Sequence, residues 1–232
     1  MDTQLLQLAR PAPTLEIDFI GDLACPWSYL SVRSLGRALD SLYGLPARIL
    51  RWHGLPQAGV LQTGWRSYLA ARVQPGADLD QVQANLTTAG RMMGIEFAFA
   101  GIRSLPDTRE AHRLVHLAAA EGRGEETIDA VFRGFFERSL DISDREVLAQ
   151  LAREAGLSEA AWTPFADSAT GREEVLAEER RLRGLGVAAV PQLVFNGRVM
   201  VPGAADVSTY IQALDQAVFP DVQAPQGRKQ LH

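Results

Sequence analysis

The 232-residue sequence predicts an α/β fold: a small strand-and-helix core divided by an all-helical insertion. Three observations carry that expectation. Apolar and polar residues alternate with the period of a strand near both ends of the chain, while the middle shows only helical periodicity. The composition is 47% hydrophobic, enough apolar surface for a substantial core.

Taken in order, TLEIDFIGD places Leu15, Ile17 and Phe19 against Glu16 and Asp18, which predicts a strand. From Pro26 the period changes, and Leu30, Leu35, Leu39 and Leu42 recur at helical spacings, with Gly44 expected to stop the helix. ARILRWHG alternates again and predicts a second strand. A strand–helix–strand unit of about 40 residues implies two parallel strands joined by a right-handed crossover.

Helices are then expected over about residues 78–93, 107–122, 124–138, 144–155 and 158–167. In DISDREVL, Ser143 is the expected cap, with Glu146 as its capping-box partner. A further helix runs through REEVLAEERRLRGLG. Beyond it, QLVF and VMV form two strands joined by Asn196-Gly197, a hairpin turn that requires positive φ at both positions. The last helix is expected to place Val207, Ile211, Leu214 and Val218 on one side. This order describes a thioredoxin-like core with an all-helical insertion. The expected division is a discontinuous core of residues 14–58 and 171–219, an insertion of 59–170, and flexible tails at 1–13 and 220–232.

The formal charge of -5 leaves no basic footprint for nucleic acid or an anionic membrane. No run of about 18 apolar residues suggests a membrane span, and the N-terminus does not read as a secretory signal. A single cysteine forms no internal disulfide, so a cytoplasmic location is expected.

That cysteine, Cys25 in DLACPWSY, lies between a strand and a helix, with Pro26 suited to the first helical position. Free N–H groups and the positive end of the helix dipole would then favour the reactive thiolate. A sulfur closed off in the interior would argue against this role, since a lone cysteine is commonly a small buried hydrophobe. In GVAAVPQLVFNG, Pro191 stands where thioredoxin-type folds place a cis-proline beside the cysteine. The backbone of Val190 would then offer an edge to a peptide-like ligand.

DFIGDLACPWSYL, the stretch from LPDTREAHRL to LAREAGL, LGVAAVPQLVFNGRVMVPGA and the closing helix together resemble the DsbA-like superfamily, in its FrnE-type branch. Kappa-class glutathione transferases and 2-hydroxychromene-2-carboxylate isomerases are relatives of that branch. The resemblance covers roughly residues 15–218 and implies a thioredoxin-like fold whose helical insertion lies over the active site. It also implies a thiol–disulfide oxidoreductase, glutathione as a partner, and a homodimer as one assembly open to the chain. FrnE-type proteins usually carry Cys-Pro-Trp-Cys, whereas Ser28 stands here in the second cysteine's place. The isomerase and transferase relatives usually begin the motif with serine.

With no resolving thiol in the chain, an external thiol such as glutathione must release Cys25 from a mixed disulfide. Ser28 would hold the thiolate by a hydrogen bond. Two alternatives remain open: a glutathione-dependent isomerase or transferase, in which Cys25 and Ser28 hold the glutathione sulfur, and a non-catalytic glutathione- or peptide-binding protein. Trp27 is expected at the rim of the cleft, and His53, at the end of the second strand, as an acid–base or glutathione contact, since relatives place ligand-contacting residues just after this strand. Kappa-type relatives bind the γ-glutamyl end with an acidic residue near the last helix. Asp206 lies close to that position but displaced by about one residue, and it reads equally well as a first-turn aspartate. Asp107 and Thr108 look like helix caps, although relatives bring an asparagine from here toward the active site. His112 and His116 share a helix face without a third ligand, so no metal is expected.

Overall fold

The computed structural model describes residues 14–42, 48–57 and 64–219. The expected helix stop at Gly44 and the two tails lie outside these residues. The elements run β1 (Leu15–Gly21), α1 (Pro26–Ser41), β2 (Arg48–Gly54), α2 (Trp65–Ala70), α3 (Leu79–Met92), a short 3-10 turn (Phe99–Gly101), α4 (Arg109–Ala120), α5 (Gly124–Arg138), α6 (Arg145–Glu154), α7 (Glu159–Asp167), α8 (Arg172–Gly184), β3 (Gln192–Phe195), β4 (Val199–Pro202) and α9 (Val207–Val218). The sheet order is β2-β1-β3-β4, with β1 and β2 parallel and the other pairs antiparallel.

Alternation along β1 explains how the sheet is covered. Leu15, Ile17 and Phe19 are fully buried in one cluster with Leu35 and Ala38 of α1, Leu193, Phe195 and the inner face of α9. Ile20 joins Leu55 and Leu182 of α8 in a second, smaller cluster that takes in Val187 and Val190. At the hairpin, Asn196 and Gly197 both have positive φ, 50° and 64°. The Asn196 carboxamide accepts from the Glu16 N–H and donates to the Ala217 carbonyl, each at 2.8 Å, tying the turn to β1 and α9.

Helix α1 belongs to two cores at once. Its C-terminal half packs in the sheet cluster, whereas Tyr29 and Leu30 enter the helical layer. There Tyr29 stacks on Phe132 at 4.8 Å, within an aromatic group that includes Phe97, Phe99, Phe136 and Trp65. The first turn of α1 therefore sits at the seam between sheet and insertion.

Local details differ from what the sequence suggests. The α6 cap is Asp144, whose carboxylate accepts from the Glu146 and Val147 N–H groups, while Ser143 turns back to Asp141. Aspartate and serine cap about equally well, so sequence does not choose between neighbours. The expected side of α9 does pack on the sheet cluster, with Leu214 buried and Val207, Ile211 and Val218 partly buried against it, and the fully buried face extends further to Tyr210, Ala213 and Ala217. Helix α2 and the 3-10 turn, both too short to show a period, were not foreseen.

Gly54 ends β2 where the His112 ring closes on the backbone; a Cβ added there would lie 2.6 Å from the ring. Gly54→Ala is therefore expected to destabilise the protein by about 1–3 kcal/mol. Denaturant unfolding should show a lower midpoint with an unchanged slope.

Candidate active site around Cys25

Cys25 is the N-cap of α1, in extended conformation (φ -100°, ψ 116°), with Pro26 at the first helical position. Its N–H donates to the Asp22 carbonyl (3.0 Å), and its carbonyl accepts the Tyr29 N–H (3.2 Å). The thiol faces the Val190 carbonyl at 3.9 Å, and the Val190–Pro191 peptide bond is cis. The hydroxyl and N–H of Ser28 and the hydroxyl of Tyr68 also bear on the sulfur.

The thiolate-favouring setting expected from sequence is not what the fold produces. Cys25 is only 2% exposed. Burial pushes its thiol above the ordinary value; the hydrogen bonds from Ser28 oppose this, the Asp22 carboxylate adds to it, and Tyr68 opposes it. The positive end of the helix is present, but desolvation outweighs it.

Asp22 is the hub beneath the cysteine and is itself fully buried. Its carboxylate accepts from Thr108 Oγ1 (2.8 Å), the Gln57 N–H (2.8 Å), and, at 3.4 Å each, the Ala24 N–H and His112 Nε2. Burial raises its pKa, but the hydrogen bond and charge of His112, then the Gln57 N–H and the Thr108 hydroxyl, together bring it below the usual carboxylate value. Trp52 Nε1 donates to His112 Nδ1 (3.1 Å), and Nε2 of the same ring faces Asp22. The Asp22 N–H also donates to Ser28 Oγ (3.4 Å), leaving the Ser28 proton free for the sulfur.

The other candidates separate clearly. Trp27 is half-buried and packs on the helical cluster. Pro191 is buried, and its carbonyl accepts the Gly203 N–H at 2.8 Å. His53, the expected ligand contact, has both ring nitrogens taken: Nδ1 by Glu178 (2.6 Å) and Nε2 by Asp18 (2.9 Å). It ties α8 to the sheet and offers neither nitrogen to a ligand in this arrangement. Asp206 caps α9, accepting from the Thr209 N–H and the Ser208 hydroxyl, bonds that lower its pKa. Thr108, rather than Asp107, approaches the cysteine loop; Asp107 accepts from the Arg109 N–H at the surface. Among the described residues no group of three or more His, Cys, Asp or Glu side chains could hold a metal.

Asp22, His112, Gln57 and Tyr68 were not named for the cysteine environment from sequence. The one available signal was an aspartate three residues before the cysteine, in a loop that also starts a helix.

A family described as DSBA-like thioredoxin domain matches residues 16–215. A probable DsbA oxidoreductase from Streptomyces coelicolor is 30% identical, with a TM-score of 0.72 over 88% of this chain and 89% of that one. The cytosolic disulfide reductase DsbM from Pseudomonas aeruginosa, also solved with GSH, shares the fold at 21% identity, TM-score 0.60, over 88% of this chain and 95% of that one. A 2-hydroxychromene-2-carboxylate isomerase shares it at 16% identity, TM-score 0.63, over 87% and 95%.

Two measurements follow for Asp22. Its pKa is lower in the folded state, so its stabilisation is present above the unfolded carboxylate value near pH 4 and is lost as pH falls through the folded value. Asp22→Asn should weaken this acid-side dependence and destabilise the protein at neutral pH by about 1–3 kcal/mol, read by denaturant titration. It should also lower the Cys25 pKa, because the carboxylate charge raises it; alkylation rate against pH reports this.

Proposed function

The chain belongs to the DSBA-like thioredoxin domain family, and on that footing we propose that it catalyses thiol–disulfide exchange through Cys25 alone, with glutathione as the external resolving thiol. The Cys25 thiolate attacks one sulfur of a disulfide; a protein–substrate disulfide forms, the substrate bond breaks, and the departing thiolate takes up a proton. Glutathione thiolate then attacks the substrate-derived sulfur of that mixed disulfide. A glutathione–substrate disulfide leaves, and Cys25 is returned. Atoms balance without a second cysteine, and the chain has none to offer.

The observation that carries this reading is the convergence of one thiol, the Ser28 donors and the Val190 carbonyl at the start of α1. The closure of the site narrows the substrate. Cys25 is 2% exposed, the burial that counts against an active thiol, so the proposal requires the site to open; it then favours glutathione mixed disulfides and other small disulfides over a folded polypeptide's. Ser28 acts as the thiolate's partner, and the backbone at Val190 and Pro191, with Trp27, flanks the incoming ligand. Such chemistry suits a glutathione-containing reducing compartment such as the cytoplasm. No helix among the described residues is long and apolar enough to cross a membrane.

A second reading has its own support. A protonated Cys25 beside two hydroxyls is also a set of donors for another molecule's sulfur. Glutathione would then be the reactive thiol of an isomerase or transferase.

One variant separates the two. Cys25→Ser should abolish glutathione-coupled reduction of a small disulfide, by at least about 100-fold, which corresponds to removing the nucleophile. Retained exchange in that variant would refute the proposal. Chromene isomerisation or conjugation that survives the substitution would establish the second reading, and glutathione binding with neither activity would mean a binding protein.

A further inference from the structure

We propose that Tyr68 is the hydrogen-bond donor that stabilises the ionised sulfur of Cys25. This rests on reading Cys25 as the reacting thiol.

Tyr68 is carried by the short helix α2, is 3% exposed, and stacks on Trp65 with ring centroids 5.7 Å apart. The Arg72 guanidinium lies 5.0 Å over its ring and is held by the side chain and carbonyl of Gln57, whose N–H in turn binds Asp22. The ring is thus locked into the same framework that holds the cysteine. Its hydroxyl is buried, yet it makes no hydrogen bond of ordinary geometry. Buried polar groups are almost always paired, and leaving one unpaired costs about 1–3 kcal/mol. The polar side chain that this hydroxyl bears on is the Cys25 sulfur.

The chemistry of sulfur accounts for the missing bond. A neutral thiol is a weak acceptor, and here its own proton is turned to the Val190 carbonyl. A thiolate is a strong acceptor. The phenol is therefore poorly used while Cys25 is protonated and well used once it ionises, which is how a fixed donor favours a charged state. Burial, foremost, and the charges of Cys25 and Asp22 keep the phenol pKa well above its ordinary value. Tyr68 accordingly acts as a donor and not as a base. Ser28 supplies the other donors, and Asp22 and Arg72 are the charged groups facing the pair.

The test compares the full chain with Tyr68→Phe, following iodoacetamide alkylation of Cys25 across pH. The midpoint should rise by about one pH unit, a tenfold loss of thiolate below the midpoint. Thermal stability should be unchanged or higher, because the hydroxyl has no partner in the resting state. An unchanged midpoint would overturn the proposal. If the Phe variant fails to fold, 3-fluorotyrosine at position 68, a more acidic donor, should lower the midpoint, and no change or a rise would overturn it. Because the readout is the thiol and not turnover, the two claims fail separately. A shifted midpoint without disulfide reduction in the unaltered protein removes the proposed function alone, whereas intact turnover with an unmoved midpoint removes the role of Tyr68 alone.

Discussion

The buried carboxylate of Asp22 is the constraint on which the site depends. A charge withdrawn from water is tolerated only when donors surround it, and Asp22 gathers them from the cysteine loop, the exit of β2 and the start of α4. Its backbone holds Cys25 and Ser28 in the same arrangement. This is one of the places where sheet and helical layer are joined, and it lies next to the thiol. The close approach of Gly54 to His112 and the Trp52 bond to that ring secure the far side of the hub.

This design works against the sulfur's reactivity, and magnitudes decide the outcome. A helix N-terminus stabilises an anion by up to about 2 kcal/mol even in favourable, partly buried geometries. Burial acts in the opposite sense and is the largest influence on the Cys25 thiol. With the neighbouring Asp22 charge added, the resting thiol is held protonated, and only the donors around it lean the other way. Cys25 is therefore a buried thiol whose ionisation is disfavoured in this arrangement.

Much of the scaffold was legible because it rests on local patterns. Alternation in LEIDF and the Asn196-Gly197 turn translate directly into β1 and the β3–β4 hairpin. The cysteine, the proline after it and Ser28 were legible because one contiguous motif carries them. Asp22, His112 and Tyr68 were not, since their meeting depends on how residues up to 90 positions apart fold together. His112 is the instructive residue. Helical spacing pairs it with His116, but burial and the Trp52 bond turn it inward. His53 errs the other way: its place at the end of a strand suggested a ligand, and two carboxylates that sequence cannot position occupy its ring.

Mass spectrometry of the intact protein tests the central claim most directly, after exposure to oxidised glutathione and then to excess reduced glutathione. The account predicts one glutathione per chain, attached through a disulfide at Cys25, formed faster as pH rises and removed by the reduced thiol. A folded protein that takes up no glutathione under these conditions, yet does so at Cys25 once unfolded, would contradict it.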